Sequence, residues 1–160
     1  NQLRIPSGPL REKLNNLRKF DAVFINGKNI NRQFLKKIKL INPDIYIFSG
    51  EYVSSNYNKF KKNNYLTFSG IGNPNSFKNT LKKYCIKNKY NLVYPDHYNY
   101  SEIDIKKIKE IAKAKKLKIL TTEKDFYRIP SKLRKNINFI KINLKVKKLK
   151  KFKQLVTKYL

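Results

Sequence analysis

The stretch YLTFSGIGNPNSFKNTLKKY, residues 65–84, decides the fold. Its first five residues, Tyr65, Leu66, Thr67, Phe68 and Ser69, are mostly aromatic, aliphatic or β-branched, as in a strand. Gly70 and Gly72 then turn the chain, and Asn73-Pro74 opens a segment in which Phe77, Leu81 and Tyr84 recur at helical spacing. Proline suits the first helical position, where a missing N–H costs nothing. Working outward, the same alternation repeats. Strand-like runs fall at 21–26, 44–50, 65–70, 91–95, 117–122 and 137–143, with helical runs near 9–19, 30–41, 74–88, 102–115 and 147–159. This order predicts an α/β fold: a mainly parallel, Rossmann-like sheet flanked by crossover helices. Pro9 marks a helix start as Pro74 does, and Ser101 with Asp104 reads as a capping box. In the tail, Val146, Leu149, Phe152, Leu155, Val156 and Leu160 predict a docked helix with a basic outer face. The first helix and strand have no earlier partner. Residues 1–28 are therefore expected to end a preceding domain or to link to one, and 29–160 to form an α/β domain.

The 160 residues carry 38 Lys and Arg against 10 Asp and Glu, a net charge of +28, with 40% hydrophobic residues. Two readings of the charge stand. The lysines fill polar faces of amphipathic segments, in a chain whose Lys, Asn, Ile and Tyr suit an A/T-rich gene; or they meet an anionic partner such as lipid headgroups, a phosphorylated substrate or nucleic acid. With 11 Tyr and 10 Phe, a basic nucleic-acid-binding α/β domain without catalysis is the alternative function, although most of these aromatics lie in strand runs and no nucleic-acid motif accompanies them. The first residues, NQLRIPSGPLRE, read as mid-domain sequence without the charged start and apolar stretch of a signal peptide, and no apolar run is long enough to span a bilayer. The absence of Met makes the chain read as a piece of a longer protein. The single cysteine, Cys85, is expected to be buried in the 74–88 helix; it has no partner for an internal disulfide and fits a reducing compartment. One histidine and no cysteine pair leave no zinc set.

Three loops carry the candidate chemistry. In FSGIGNPNSF, Gly70, Gly72 and Asn73 lie between a strand end and a helix start, where free N–H groups can meet a phosphate; a tight turn is the alternative. In YPDHYNYS, the only histidine, His97, follows Asp96 at a strand end, where open α/β sheets place ligands. An imidazole there can position a proton, or the pair can simply cap the turn. In LTTEKD, Thr122, Lys124 and their neighbours gather at another strand end, to hold an anion or to cap a helical turn. Upstream, Arg11 and Glu12 of PSGPLRE stand one turn into a helix, where an arginine can grip phosphate and a glutamate can reach a metal or a ribose; simple solvent exposure is the alternative.

In this order, PSGPLRE, DAVFING, FSGIGNPNSF, YPDHYNYS and LTTEKD resemble the C-terminal half of the tetraacyldisaccharide 4'-kinase family, over roughly residues 3–128. The resemblance implies an ATP- and Mg2+-dependent kinase that phosphorylates the 4'-hydroxyl of a tetraacyldisaccharide 1-phosphate in lipid A biosynthesis, giving lipid IVA. It implies a peripheral enzyme on the anionic cytoplasmic face of a bacterial inner membrane, with no nucleic-acid partner. The family's P-loop and its magnesium-holding acidic motif belong to the other half. The covered part is thus expected to be inactive alone and to supply no confident metal ligand. His97 matches the family's histidine that supports the base, with Asp96 beside it. Arg11 and Glu12 match the helix over the nucleotide side. Gly70, Gly72, Asn73, Thr122 and Lys124 fall in signatures expected to bind nucleotide or substrate.

Overall fold

A computed structural model describes residues 12–27 and 30–159. The order among them is a 3-10 helix (Leu14–Lys19), β1 (Ala22–Asn26), α1 (Arg32–Ile41), β2 (Tyr46–Ser54), a 3-10 turn (Tyr57–Phe60), β3 (Asn64–Ser69), α2 (Pro74–Lys83), β4 (Lys87–Val93), α3 (Glu102–Ala114), β5 (Lys118–Thr122), α4 (Glu123–Arg128), a 3-10 turn (Ser131–Leu133), β6 (Ile137–Ile140), β7 (Ile142–Val146) and α5 (Leu149–Thr157). The chain forms two compact units, one made of Asn1–Val53 with Leu144–Leu160, the other of Ser54–Asn143. This division does not coincide with the boundary expected near residue 28. β1 precedes that point and β2 follows it, yet the two strands pair in parallel from Ala22↔Tyr46 to Asn26↔Gly50.

In the first unit the sheet runs β1-β2-β7. The tail helix is docked as its spacing predicts: the Phe152 ring meets Phe48 edge-on at 5.1 Å and Phe24 at 5.9 Å. The Asn42 side-chain amide donates to the carbonyls of Leu17 and Phe20, both at 3.1 Å, tying the end of α1 to the 3-10 helix. Of the helix expected over 9–19, residues 9–11, and Pro9 with them, lie outside the described residues.

The second unit is a four-stranded sheet ordered β4-β3-β5-β6, with every neighbouring pair parallel. Strand alternation sends Leu66 and Phe68 to one face, where they join Ile105, Ile108 and Ala112 of α3. Tyr65 and Leu120 face the other side and meet Phe77 and Leu81 of α2. Covering both faces explains why β3 is buried along nearly its whole length. It also uses Tyr65, Phe68, Phe77 and Tyr100 as core, so these rings are not available to stack on bases. The connection from β3 through α2 leads outward to β4, whereas α3 returns across β3 to β5. The switch in winding direction therefore lies between the C-terminal ends of β3 and β5, the place where open α/β sheets form a crevice.

Three local expectations are corrected. The helix over 74–88 ends at Lys83, because Cys85 takes a left-handed conformation (φ 54°) and the Ile86 N–H reaches back to the Leu81 carbonyl at 2.9 Å. Cys85 is consequently exposed at the helix end and not buried. The run at 137–143 is two strands, parted at Lys141, whose N–H donates to Asn56 Oδ1 at 2.8 Å.

Candidate active site

The strands of the second unit all point the same way, so the loops after β3, β4 and β5 leave the sheet at one edge. There the main chain itself binds them together. The Gly70 carbonyl accepts from the His97 N–H at 3.2 Å and from Arg128 Nη1 at 2.8 Å. Glycine is required at position 70 by space: a Cβ would stand 3.0 Å from the Pro95 carbonyl, the Tyr98 Cβ and the Tyr100 hydroxyl. At Gly72 a Cβ would come within 2.8 Å of Asp96 Oδ2. The glycines of the first loop are thus fitted against the Asp96-His97 loop. Asn73 closes the first loop as the N-cap of α2, its side chain accepting from the Ser76 N–H at 3.1 Å, with Pro74 in the first turn.

Asp96 Oδ1 accepts from the His97 N–H at 2.9 Å, and Asp96 Oδ2 lies 3.9 Å from His97 Nε2. His97 adopts φ 59°, a left-handed conformation uncommon for a residue with a side chain. Its imidazole is 81% exposed and the Asp96 carboxylate 50% exposed. Tyr94, Tyr98 and Tyr100 pack beneath this loop with ring centroids 4.7 to 5.3 Å apart, and Tyr100 continues to Phe68 of the core at 5.3 Å. The Tyr98 hydroxyl donates to Asp104 Oδ2 at 3.2 Å, in the capping box of α3.

The third loop ends in Thr122, the N-cap of α4, which accepts from the Asp125 N–H at 3.1 Å and donates to Asp125 Oδ2 at 2.6 Å. Asp125 is wholly buried. A buried carboxylate stays charged only with compensation. It finds this in the Thr122 hydroxyl and in Arg128 Nη1, 3.4 Å from its other oxygen. Burial, together with the negative charge of Asp125 nearby, pushes the Tyr100 phenol far above the ordinary tyrosine range, so its hydroxyl stays neutral, although it is not in hydrogen-bonding geometry with that carboxylate. Arg128 Nη2 stands 3.1 Å from His97 Nδ1. One guanidinium therefore ties the first two loops to the first turn of α4, which follows the third.

Of the residues singled out in the sequence, Gly70, Gly72, Asn73, Asp96, His97 and Thr122 are gathered at this edge, and Lys124 is exposed on α4 beside it. Glu12 belongs to the first unit, where its carboxylate accepts from Asn16 at 3.0 Å. Arg11 lies outside the described residues. Sequence reasoning passed over Arg128 and Tyr100; Asp125 was counted only among the polar neighbours at the end of LTTEKD, which hold an anion or cap a helical turn. The one available signal was the Asp125/Arg128 spacing, which puts acid and base on the same helix face. Among the described residues no three His, Cys, Asp or Glu side chains gather to hold a metal ion. They do not form a set suited to Mg2+.

A family model described as "LpxK: Tetraacyldisaccharide-1-P 4'-kinase" matches residues 1–160. The tetraacyldisaccharide 4'-kinase of Pelagibacter ubique (strain HTCC1062) is 44% identical over 148 residues, covering 91% of this chain and 47% of that protein. That of Rickettsia bellii (strain OSU 85-389) is 36% identical over 130 residues, 81% of this chain and 39% of that one. Among solved structures, the "apo" form of LpxK from Aquifex aeolicus in complex with ATP superposes with a TM-score of 0.64 at 23% identity, covering 97% of this chain and 47% of that one. This likeness supports the fold. The chain spans about half the length of the curated relatives it matches.

Proposed function

The chain belongs to the tetraacyldisaccharide-1-P 4'-kinase family, and from that premise we propose that it supplies the C-terminal part of a kinase transferring the ATP γ-phosphoryl group to the 4'-hydroxyl of a tetraacyldisaccharide 1-phosphate, giving lipid IVA. The observation that carries this reading is the joining of three loops on the Gly70 carbonyl at the switch point of a parallel sheet, with His97 presented to solvent above them. Phosphoryl transfer asks a protein mainly to position the acceptor hydroxyl and to neutralise charge. Here His97, held by its own N–H on Gly70 and Asp96, can orient a carboxylate base contributed by the rest of the enzyme. Arg11 and Glu12 act on the nucleotide side. A bound Mg2+ would supply charge neutralisation at the triphosphate, and its ligands would come from the family's other half. The net charge of +28 suits peripheral attachment to the anionic cytoplasmic face of an inner membrane. No helix among the described residues is long and apolar enough to cross one.

Steady-state kinetics in the full-length enzyme, with ATP and lipid varied separately, tests the assignment. His97→Ala should lower kcat by up to about 10²- to 10⁴-fold, the range of acid–base assistance, while leaving the KM for ATP nearly unchanged. Arg11→Ala and Glu12→Ala should raise the KM for ATP as well. Wild-type turnover in His97→Ala would remove the functional reading of this loop.

A further inference from the structure

Arg128 ends α4, one helical turn beyond Asp125, so that both side chains leave the same face. Its Nη1 is pinned between the Gly70 carbonyl at 2.8 Å and the buried Asp125 carboxylate at 3.4 Å. With that end fixed, the planar fork has little freedom, and Nη2 is delivered to His97 Nδ1 at 3.1 Å. A guanidinium has five donors and no acceptor. The contact with Nδ1 is therefore a hydrogen bond only when that nitrogen keeps its lone pair. The neutral imidazole must then carry its proton on Nε2, the other nitrogen of a ring that is 81% exposed. The nearest carboxylate oxygen the ring meets there, Asp96 Oδ2 at 3.9 Å, is beyond hydrogen-bond reach. The Nε2–H can thus be offered to an arriving acceptor.

We infer that Arg128 is a positioning residue which locks His97 in its Nε2–H tautomer, so that the histidine serves the reaction as a hydrogen-bond donor to the acceptor-side base and not as a proton acceptor itself. The tautomer assignment stands on this geometry; its effect on turnover rests on the kinase reading above. Asp125 and Thr122 take part indirectly. The Thr122 hydroxyl holds one carboxylate oxygen, the other holds Arg128, and Arg128 holds the ring. The charged and titratable groups facing the ring within this unit are Asp96 on its own loop and Arg128 from α4, with Asp125 behind the arginine.

His97 is the single histidine of the chain, so long-range 1H–15N correlation spectra of its ring are free of overlap, with His97→Gln as the assignment control. At about pH 8 the neutral ring of the wild-type chain should show one protonated nitrogen, Nε2, and one bare nitrogen, Nδ1. Arg128→Ala should draw the two nitrogen shifts toward each other as the tautomers mix. Arg128→Lys, which keeps the charge but loses the fork, should do so too. In the full-length enzyme Arg128→Ala should lower kcat with little change in the KM for ATP, by no more than the loss in His97→Ala, about 10²- to 10⁴-fold. The wild-type spectrum needs no substitution, so a variant that fails to fold cannot hide the answer. An averaged or Nδ1-protonated ring in the wild type, or a ring indifferent to both substitutions, overturns the inference whatever the kinetics. A single tautomer that both substitutions blur, alongside full turnover in His97→Ala, leaves Arg128 as the group that sets the tautomer and removes the kinase reading of the loop.

Discussion

Two glycines two positions apart are glycine for different reasons, and the difference is measurable. At Gly70 an added Cβ meets the Pro95 carbonyl, a main-chain atom that cannot move alone, and the packed Tyr98 and Tyr100 side chains, all at 3.0 Å. At Gly72 it meets only the carboxylate of Asp96, closest at 2.8 Å, and that side chain is half exposed and can swing aside. Gly70→Ala should therefore destabilise by about 1–3 kcal/mol, as overpacking does. Gly72→Ala should cost about 0.5 kcal/mol or less, in the range of a surface substitution. Its effect should fall on function: moving Asp96 leaves the His97 N–H only the Gly70 carbonyl as acceptor, and a misplacement of about 1 Å can lower turnover by up to about 10²-fold. Urea melts of both variants and turnover of the second check this. A stable Gly70→Ala would show that the loop packing is slack. The strand–turn–helix pattern marked these glycines, but it could not separate their roles, since the atoms they avoid come from residues more than twenty positions away. Arg128 was hidden for the same reason. Its partners, Gly70 and His97, are set by the strand order, and nothing in the string EKDFYR names them.

Elements announce their starts better than their ends. The capping box of α3 was legible because both members lie within four residues: Ser101 Oγ accepts from the Asp104 N–H at 3.2 Å, and Asp104 Oδ2 accepts from the Ser101 N–H at 2.9 Å. Ser101→Ala should cost about 1 kcal/mol. Hydrogen bonds from the Ser101 side chain and backbone hold the Asp104 carboxyl below its ordinary value. A carboxylate depressed by folding adds stability that is complete above its unfolded pKa of about 4 and is lost as pH falls through the lower, folded value. Asp104→Asn should thus destabilise at pH 7 and much less near pH 2, a comparison that urea midpoints at the two pH values provide. The end of α2 left no such mark, because the left-handed stop is a cysteine where glycine or asparagine would have been readable. A side chain in that conformation costs about 1–2 kcal/mol, and glycine returns about 0.5–1 of it to the unfolded state. Cys85→Gly should therefore stabilise by about 0.5–1 kcal/mol, and an unchanged melting point would mean that Cys85 is not strained. The split at Lys141 was illegible in another way. Alternation tells which side of a strand is buried but not which sheet it joins, and β6 and β7 join different ones.

For the whole molecule the open question is where 38 cations stand when only 10 carboxylates are present. Pairing each acid with one base would still leave a surplus of 28 positive charges. The ion pairs that matter to the architecture, Arg128 with Asp125 and Lys132 with Glu102, are few beside that surplus. Net repulsion should then outweigh attraction at low ionic strength, since like charges reach one another over a screening length of about 30 Å at 0.01 M salt. At 1 M that length shrinks to about 3 Å, and only contact pairs still act. Sodium chloride should therefore stabilise this chain, opposite to the response of a protein held together by surface salt bridges. A relief of about 1–2 kcal/mol would raise the melting temperature by roughly 2–8 °C at this length. The same salt should act in the opposite direction on membranes. Each lysine near an anionic surface contributes about 1 kcal/mol of attraction that falls off within a screening length, so added salt should release the protein from phosphatidylglycerol vesicles while it stabilises the fold. Thermal melts and vesicle sedimentation over one salt series test both signs together. A melting temperature that falls with salt would mean that the cations are compensated within the fold. Vesicle binding that ignores salt would mean that the membrane is held by apolar contact, and the lysine-rich surface would then be only a solvated one.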